Sequence, residues 1–312
     1  MIRREMKRLI RIIKDPRFRL EQLSRLGFFR HMSDEDYIKK YWKAFYHEEL
    51  SLCNPQSLCE KLQWLKLFDR KPEYIAMVDK YEAKRIVAQK IGQEYIIPTI
   101  GVWDNPEDID IRDLPNQFVL KPTHDSGGLI VCRDKSQFNM DKARKMLRKS
   151  LKYNYYWHAR EWPYKHVKPR IIAEPLMEEL GKEDSIEYKT TCFNGKAVFV
   201  TICTGIAHTQ IQKRMNDHFD TEFNKLPWYV NYLPAKKTPE KPPEWDEIIR
   251  FSEKLAENVP YLRVDTYILN RRIVFGEMTF YTWGGFMHFE PKEWDYKLGA
   301  MLQLPAEMHI MD

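Results

Sequence analysis

The sequence at residues 118–128 is FVLKPTHDSGG, an apolar strand that ends on Lys121 and runs directly into a loop with two glycines. A lysine in this position keeps its stem among apolar neighbours and holds its ammonium group at the end of the strand. The glycines allow the loop to lie close to a polyanion and to offer it backbone N–H groups. The pattern is neither a P-loop nor a GxGxxG fingerprint, so a phosphate-binding loop and a surface lysine before an ordinary turn both remain open.

A second polar group lies near the C-terminus, on two strands joined by a tight turn. Arg263 and Asp265 are two residues apart and therefore share one face of the first strand. The hairpin places Glu277 opposite that pair, and Thr279 continues the same face of the returning strand. Two carboxylates beside a hydroxyl suit Mg²⁺ and phosphate oxygens. A cross-strand salt bridge of Arg263 with one acid explains the same residues equally well.

A third stretch, residues 171–178, reads IIAEPLME. Its apolar strand leaves through Glu174 and Pro175 into an open segment, where free backbone N–H and C=O groups can contact the edge of an adenine. An ordinary strand followed by a loop is the simpler interpretation of this stretch.

Charge is distributed unevenly along the 312 residues. Residues 1–30 hold ten basic and three acidic residues, a net charge of +7, whereas the whole chain carries +6, so the remainder sums to about −1. A basic body that binds nucleic acid is therefore disfavoured. Residues 1–14 also place apolar side chains at helical spacing among arginines and lysines, which predicts either contact with an anionic membrane surface or packing on the body.

Composition indicates a packed protein of the reducing cytoplasm. The length suggests two domains or one two-lobed enzyme, and nine Trp with sixteen Phe favour substantial cores. The sequence has no run of 18 apolar residues and no apolar signal region at its start. The five cysteines are scattered without the spacing of a zinc site. We expect a cytoplasmic location, with peripheral association at the inner face of the plasma membrane if the basic segment binds lipid.

Periodicity and turn signals predict an α+β fold with hairpins rather than a doubly wound parallel sheet. Helices are expected up to about residue 70 and again at residues 79–91, 135–153 and 246–258. Strands are expected at residues 98–103, 117–122, 129–132 and 170–175, and two hairpins are expected to turn at Asn194-Gly195 and Asn270-Arg271. The predicted organisation is a helical arm at 1–70, a small lobe at 71–170 and a C-terminal lobe with the metal site at 171–312.

The order of these groups resembles the ATP-grasp superfamily: a lysine strand with a glycine loop, a Glu-ended strand about 50 residues later, then R-x-D and a paired Glu. Longer motifs resemble one branch, the TupA-like ATP-grasp proteins of bacterial surface-polymer and teichuronopeptide biosynthesis. The resemblance covers residues 15–304, and its motifs lie at residues 54–55, 60–66, 123–128, 160–164, 168–174 and 290–299.

The resemblance implies an ATP-grasp fold in which two α+β lobes clamp ATP after the N-terminal helical arm. It implies that Lys80 and Lys121 hold the α- and β-phosphates. The loop over the phosphates would contain Ser126, Gly127 and Gly128. It further implies that Glu174 and the backbone near Leu176 contact adenine, and that Glu187 contacts the ribose hydroxyls.

The metal and catalytic residues follow from the same resemblance. Asp265 and Glu277 would bind Mg²⁺, with Thr279 in the position where the superfamily usually has Asn. Arg263 would steady an acyl phosphate or tetrahedral intermediate. A further cation over the γ-phosphate is implied at Lys213 or Arg214. A usual Pro-Gly turn is replaced here by residues 281–285, YTWGG.

The implied activity is an ADP-forming carboxylate–amine ligase of capsule or cell-surface polysaccharide biosynthesis. ATP would activate a carboxylate as an acyl phosphate, and an amine would attack it to form an amide. The implied substrates are a uronic acid or related sugar of a polysaccharide precursor and an amino acid or amine. A phosphotransferase of the same fold, a glycosyltransferase of the same pathway and a degenerate nucleotide-binding protein are the alternatives.

Overall fold

The structure is a computed structural model that describes residues 11–125, 128–182, 185–205 and 214–311, together with Met6. The α-helices that lie wholly within these residues are α1 (Pro16–Arg25), α2 (Asp34–Tyr46), α3 (Leu58–Phe68), α4 (Glu73–Val78), α5 (Glu82–Lys90), α6 (Met140–Leu151), α7 (Tyr156–Ala159), α8 (Trp245–Ala256) and α9 (Glu293–Met301). The strands are β1 (Gly101–Trp103), β2 (Phe118–Pro122), β3 (Ile130–Cys132), β4 (Ile171–Pro175), β5 (Glu187–Phe193), β6 (Lys196–Thr204), β7 (Met215–Phe219), β8 (Tyr229–Val230), β9 (Tyr261–Leu269), β10 (Arg272–Thr279) and β11 (Phe289–Glu290).

The first lobe is built on an antiparallel four-stranded sheet in the order β1-β4-β2-β3. Its core lies between this sheet and α6, where Phe118, Leu120 and Ala173 pack with Leu147. The strand β4 is paired on both sides within this sheet. The first sheet therefore includes β4, whose residues the predicted organisation assigns to the C-terminal lobe.

The second lobe contains an antiparallel five-stranded sheet in the order β10-β9-β5-β6-β7. Both predicted hairpins are present: Asn194 and Gly195 turn with φ of 50° and 82°, and Asn270 and Arg271 with φ of 50° and 63°. Positive φ at both central residues suits the right-handed twist of the paired strands. The α+β prediction is confirmed by these antiparallel sheets and their flanking helices.

Alternation along β9 gives the five-stranded sheet two different faces. Leu262 and Val264 are fully buried in the same core cluster as Ile248 and Leu255 of α8, which packs on β5 and β9. Arg263 and Asp265, which alternate with these two residues along the strand, point to the opposite face. A helix-covered apolar face thus positions a polar face on the other side of the sheet.

The N-terminal helices begin where their capping residues predict. Asp15 accepts a hydrogen bond from the Phe18 N–H and caps α1, which begins at Pro16. The Ser33 hydroxyl accepts the Asp36 N–H, and Ser57 forms a full capping box with Glu60.

These helices belong to the core of the second lobe instead of projecting from it. Side chains of α1, α2 and α3 share a cluster with the five-stranded sheet. The Tyr46 hydroxyl donates to the Met287 carbonyl at 2.7 Å, and the Cys59 N–H donates to Asp295 Oδ1 at 2.9 Å. The expected arm is therefore a packed part of the body from residue 16 onward; residues 1–5 and 7–10 lie outside the described residues. No helix in the described part of the chain is long and apolar enough to cross a membrane.

Candidate functional site

A buried carboxylate and two lysines meet at the four-stranded sheet, and we call them the lysine–glutamate cluster: Lys84, Lys121 and Glu174. Lys121 on β2 reaches Glu174 Oε2 on the neighbouring β4 at 2.5 Å, and Lys84 of α5 pairs with the other carboxylate oxygen. Glu174 is 3% exposed. Burial would raise the pKa of Glu174, but the charges of Lys121 and Lys84 outweigh it and hold the pKa below its ordinary value. The cluster carries one more positive than negative charge, so it can hold an anion.

The predicted glycine loop is anchored to the end of α6. His124 Nε2 lies 3.2 Å and 3.1 Å from the carbonyl oxygens of Ser150 and Tyr153, and the Ser150 hydroxyl donates to Asp125 Oδ2 at 2.5 Å. Gly128 donates its N–H to Asp125 Oδ1, and a Cβ at Gly128 would lie 2.3 Å from the other oxygen of that carboxylate. His124 and Asp125 therefore stabilise the turn.

Lys80 reaches this loop from the segment before α5. Its ammonium group donates to the Asp125 backbone carbonyl, and its own N–H donates to the Thr123 carbonyl at 3.1 Å. Lys80, Lys84 and Lys121 thus lie around the loop and the end of β2; that Lys80 and Lys121 bind phosphate stays a prediction. Ser126 and Gly127 lie outside the described residues, and Leu176 is half-buried just beyond β4.

The second polar group forms a face of the five-stranded sheet, which we call the carboxylate face: Lys189, Arg263, Asp265, Glu277 and Thr279. Lys189, Asp265 and Glu277 are register partners across β5, β9 and β10. Asp265 is fully buried and accepts two hydrogen bonds from the Arg263 guanidinium, at 2.6 Å and 2.7 Å, and one from Lys189 at 2.5 Å. Arg263 also reaches Glu277 Oε1 at 3.1 Å, so it bridges both acids.

A bulge in β10 sets the direction of Glu277. The register shifts between Phe275 and Glu277, and the intervening Gly276 would place a Cβ 2.9 Å from the Asp265 carbonyl oxygen. Only glycine fits this close backbone approach without movement. The bulge brings Glu277 opposite Asp265, and the Thr279 hydroxyl lies 3.3 Å from Glu277 Oε1.

The cations on the carboxylate face fix the protonation state of Asp265. Burial acts to raise the pKa of Asp265, but Arg263 and Lys189 lower it below its ordinary value. Burial acts to lower the pKa of Lys189 and of Arg263, yet Asp265 raises both. Asp265 is therefore an ionised carboxylate held between two cations.

A cleft of about 980 Å³ opens in front of the carboxylate face. Glu187 lines it and is held by the Tyr267 hydroxyl at 2.7 Å and by Lys189 at 2.8 Å. Arg214, at the start of β7, also lines the cleft, and its Nε is buried without a hydrogen-bond partner in the described structure. Lys213 lies outside the described residues. The opposite wall comes from α1, α2 and the segment that follows α7.

The residues present fit a magnesium ion. Asp265 and Glu277 offer hard carboxylate oxygens side by side, with the Thr279 hydroxyl next to them. Among the described residues, no group of three His, Cys, Asp or Glu side chains could hold a metal without further ligands. Magnesium sites typically use one or two carboxylates and complete the shell with water and substrate phosphates, so two protein carboxylates are sufficient.

Three site residues were missed by sequence reasoning. Lys84 lies four residues after Lys80 and could have been found as a second cation on the same stretch. Lys189 lies two residues after Glu187 on the same strand face. Glu161 lines the cleft but carries no local signal, because it comes from a short segment between α7 and β4.

Comparison with known proteins places the chain among ATP-grasp sequences. The family model described as TupA-like ATPgrasp matches residues 60–303. No relative matches the chain among curated proteins.

Solved structures with a detectable likeness are distant. The D-alanine–D-alanine ligase from Bacillus anthracis complexed with ATP is 15% identical, with 65% of this chain and 55% of that chain covered and a TM-score of 0.39. The D-cycloserine synthetase DcsG is 13% identical, with 74% and 72% covered and a TM-score of 0.43. The D-alanine–D-alanine ligase from Helicobacter pylori is 15% identical, with 70% and 60% covered and a TM-score of 0.37.

Proposed function

The chain belongs to the TupA-like ATP-grasp family, and from this premise we propose that it is an ADP-forming carboxylate–amine ligase. The observation that carries the proposal is the carboxylate face, where Arg263 bridges the buried Asp265 and the cleft-lining Glu277. A site that transfers a phosphoryl group to a carboxylate needs a cation-binding acid pair and a fixed positive group next to the reacting oxygens.

ATP would lie between the two lobes, with its phosphates near the loop and the lysine–glutamate cluster. Lys80 and Lys121 would supply positive charge there, and the loop of Ser126, Gly127 and Gly128 would supply backbone N–H groups. The surplus charge of the cluster supports phosphate binding, because a triphosphate would satisfy it. The segment from Glu174 to Leu176 would border the adenine, with its backbone making the contact because the Glu174 carboxylate already binds two lysines. Glu187 would contact the ribose.

Charge stabilisation in the cleft would come mainly from arginine. Arg263 is held rigidly by Asp265, so its remaining surface can face an oxygen on which charge builds up during acyl transfer. Lys213 and Arg214 would neutralise the transferring phosphoryl group. When bound, Mg²⁺ on Asp265 and Glu277 would supply Lewis-acid polarisation of phosphate oxygens.

We propose a uronic acid or related sugar of a bacterial capsule or cell-surface polysaccharide as the carboxylate, and an amino acid or amine as its partner. The lining of the cleft supports this proposal, because acids and arginines there can contact positively and negatively charged groups of small polar substrates. Tyr232 and Trp283 also line the cleft, with their rings 5.7 Å apart. Exposed aromatic rings of this kind stack on sugar faces as well as on apolar groups.

The test is incubation of the chain with ATP, Mg²⁺, D-glucuronate and L-glutamate, with ADP, AMP and UDP followed separately. A ligase releases ADP only when both substrates are present. Hydroxylamine in place of the amine should give a hydroxamate, because it intercepts an acyl phosphate. Glu277→Ala should abolish both products, whereas Asp104→Asn, at a surface ion pair with Lys168, should leave them unchanged.

Other products would point to the alternatives. A stable phosphorylated sugar without hydroxamate would indicate a phosphotransferase, and release of UDP from a sugar nucleotide would indicate a glycosyltransferase. ATP binding without turnover on any acceptor would indicate a degenerate nucleotide-binding protein.

We further propose that the N-terminal region binds an anionic membrane surface at the inner face of the plasma membrane. Ile13, Leu26 and Phe28 expose 73%, 73% and 69% of their surface, although they are large apolar side chains. Arg25 and Arg30 lie beside them. Exposed apolar side chains among basic ones suit a surface of anionic lipid.

Vesicle flotation tests this surface without deleting α1, which also lines the cleft. Binding to phosphatidylserine vesicles should fall with salt and should be lost in the double variant Leu26→Glu/Phe28→Glu. The matched control is Met308→Glu/Ile310→Glu, which changes two apolar side chains exposed by 59% and 66% near the other end of the chain. Binding that ignores salt, or that survives the first pair of substitutions, would contradict the proposal.

A further inference from the structure

Glu161 is a carboxylate that the assignments above leave without a role. Its residue is only 5% exposed, yet it lines the cleft in front of the carboxylate face. The residues on either side of it, Arg160 and Trp162, are each 1% exposed, and the Tyr164 N–H donates to the Glu161 carbonyl at 3.1 Å. The backbone that carries Glu161 is therefore held firmly.

Gly284 lies beside this carboxylate and packs closely against Ala159. A Cβ added to Gly284 would lie 3.7 Å from Glu161 Oε1. Trp283 and Gly284 adopt left-handed backbone conformations, with φ of 54° and 62°, and both line the cleft. Glu161, Trp283 and Gly284 therefore border the same part of the cleft.

The charges around Glu161 act on it through space. Among the described residues its carboxylate forms no hydrogen bond or ion pair; the charges that face it are Lys66 from α3, Arg263 from β9 and Glu277 from β10. The Tyr164 and Tyr281 hydroxyls also face it. Burial raises the pKa of Glu161 to about 7, and Lys66 and Arg263 oppose that rise.

Lys66 does not complete a salt bridge with Glu161, because its ammonium group is already occupied. It donates to Gln63 Oε1 and to the Ala159 carbonyl, both at 2.9 Å, and to the Gly284 carbonyl at 2.5 Å. An ammonium group has three donors, and these acceptors use all of them. An ionised buried carboxylate without a bonded cation is costly, so a positively charged group in the cleft would stabilise the ionised form of Glu161.

We propose that Glu161 binds the ammonium group of the acceptor amine in the cleft and removes a proton from it, an assignment that rests on the ligase function proposed above. The proton passes from the amine nitrogen to a Glu161 oxygen. The nitrogen lone pair then forms the C–N bond to the activated carbonyl carbon, while the C–O bond to phosphate breaks and the phosphate leaves with that electron pair. The second N–H proton departs with the phosphate, and Glu161 returns its proton to solvent as the amide leaves.

The acidity of the two groups suits this transfer. An α-amino group has an ordinary pKa of about 8, and an ordinary Glu has a pKa of about 4.3. Burial brings the pKa of Glu161 to about 7, close to that of the amine. General bases work best when their pKa lies near the working pH.

Calorimetric titration of the full chain with Mg²⁺ and a non-hydrolysable ATP analogue tests the binding step, with glycinamide as the amine probe and acetamide as its uncharged counterpart. Glycinamide should bind and acetamide should not. Glu161→Gln should weaken glycinamide binding about 10-fold or more, the scale of a lost hydrogen bond to a charged group. Glu161→Asp, which keeps the charge on a shorter side chain, should bind with intermediate affinity.

The matched control is Glu21→Gln. Glu21 lines the same cleft, but its carboxylate is held by the Tyr41 hydroxyl at 2.6 Å and by Arg17 at 3.1 Å, so this variant should bind glycinamide like the unmodified chain. An unmodified chain that does not bind glycinamide, or a folded Glu161→Gln variant that binds it equally well, overturns the inference.

Product formation separates this inference from the ligase proposal. With D-glucuronate, hydroxylamine is mostly unprotonated at neutral pH and needs no base, whereas glycinamide is mostly protonated. Glu161→Gln should therefore keep hydroxamate formation and lose amide formation by about 10². Absence of hydroxamate from the unmodified chain contradicts the ligase function. Equal losses, or no loss, with the two nucleophiles in Glu161→Gln overturn the role of Glu161.

Discussion

Glu174 in the first lobe and Asp265 in the second are both buried carboxylates held by two cations, yet the charges around them differ. In the described part of the chain Glu174 pairs with Lys84 and Lys121 and with no other charged group, so the lysine–glutamate cluster keeps a surplus positive charge. Asp265 shares Arg263 with a second acid, Glu277, which faces the cleft. One additional carboxylate on a neighbouring strand thus turns an anion-binding arrangement into one that can accept a cation.

The largest expected effect is on stability, from Glu174→Gln. Removing one partner of a buried ion pair costs about 3–5 kcal/mol, and because Gln still accepts hydrogen bonds we expect about 3 kcal/mol at neutral pH. Chemical denaturation should show this loss. Asp104→Asn, which breaks an exposed pair with Lys168, should cost less than about 1 kcal/mol.

Acid should remove the difference between Glu174→Gln and the unmodified chain. The pKa of Glu174 is lowered in the folded chain, by Lys121 and Lys84 acting against burial. Its contribution to stability is therefore present above the unfolded-state pKa of about 4.3 and is lost as the pH falls through the lower folded-state pKa. A difference that stays constant from neutral pH to below that range would show that Glu174 is not ionised in the cluster.

The next effect is on catalysis, from Arg263→Met. Loss of one preorganised group that stabilises developing charge typically lowers turnover by about 10² or more. ATP binding should remain, since the phosphates are held mainly from the first lobe. Arg263→Lys keeps a positive charge beside Asp265 but loses the bidentate hydrogen bonds. This variant should fold like the unmodified chain. If folded Arg263→Met and Arg263→Lys both lose ATP binding, then Arg263 in the second lobe helps to bind ATP, and the first lobe does not hold the nucleotide by itself.

The lysine–glutamate cluster can be tested from the nucleotide side with Lys121→Ala. A ligand at 100 times its dissociation constant stabilises a protein by about 2.7 kcal/mol. Mg·ATP should therefore raise the melting temperature of the unmodified chain, and Lys121→Ala should lose most of that rise. Lys168→Ala, at an exposed ion pair, should keep it. If Lys121→Ala shows the full ATP-dependent rise in melting temperature, the lysine–glutamate cluster does not bind the nucleotide.

The same comparison shows which residues a sequence can predict. Arg263, Asp265 and Glu277 were predictable, since a tight hairpin fixes which residues of its two strands share a face. Lys121 was predictable from the strand that it ends. Their partners were not, because Lys84 meets Glu174 only after β4 inserts between β1 and β2, a pairing that no local pattern encodes.

The packing of the N-terminal helices escaped prediction for a related reason. Their amphipathic pattern and caps were readable, but the surface that covers their apolar side lies near residues 280–302 at the far end of the sequence. Glu161 is similar: the residues that make it notable, Lys66 and Arg263, are about 95 and 102 positions away. Long-range charge contacts of this kind follow from topology and not from spacing.

The smallest expected effect concerns Glu161, the acid that lacks a bonded cation among the described residues of the cleft. Lys66 lowers the pKa of Glu161 through space, against the effect of burial, so Lys66→Met should raise that pKa further. Because glycinamide binds the ionised carboxylate, the pH at which its binding is half-maximal should move upward, by up to about one pH unit for roughly 1.4 kcal/mol of lost interaction. Titrations of glycinamide from pH 5 to pH 9 would measure this midpoint.

Lys71→Met is the control for that shift. Lys71 lies 3.9 Å from Asp69 and is not among the groups that act on Glu161, so its loss should leave the midpoint in place. A downward shift in Lys66→Met, or an equal shift in both variants, would show that Glu161 does not bind the amine as a free carboxylate. An upward shift confined to Lys66→Met would show that Lys66 sets the pKa of Glu161 from a distance. Glu174 and Asp265 differ, because their cations are bonded to them directly.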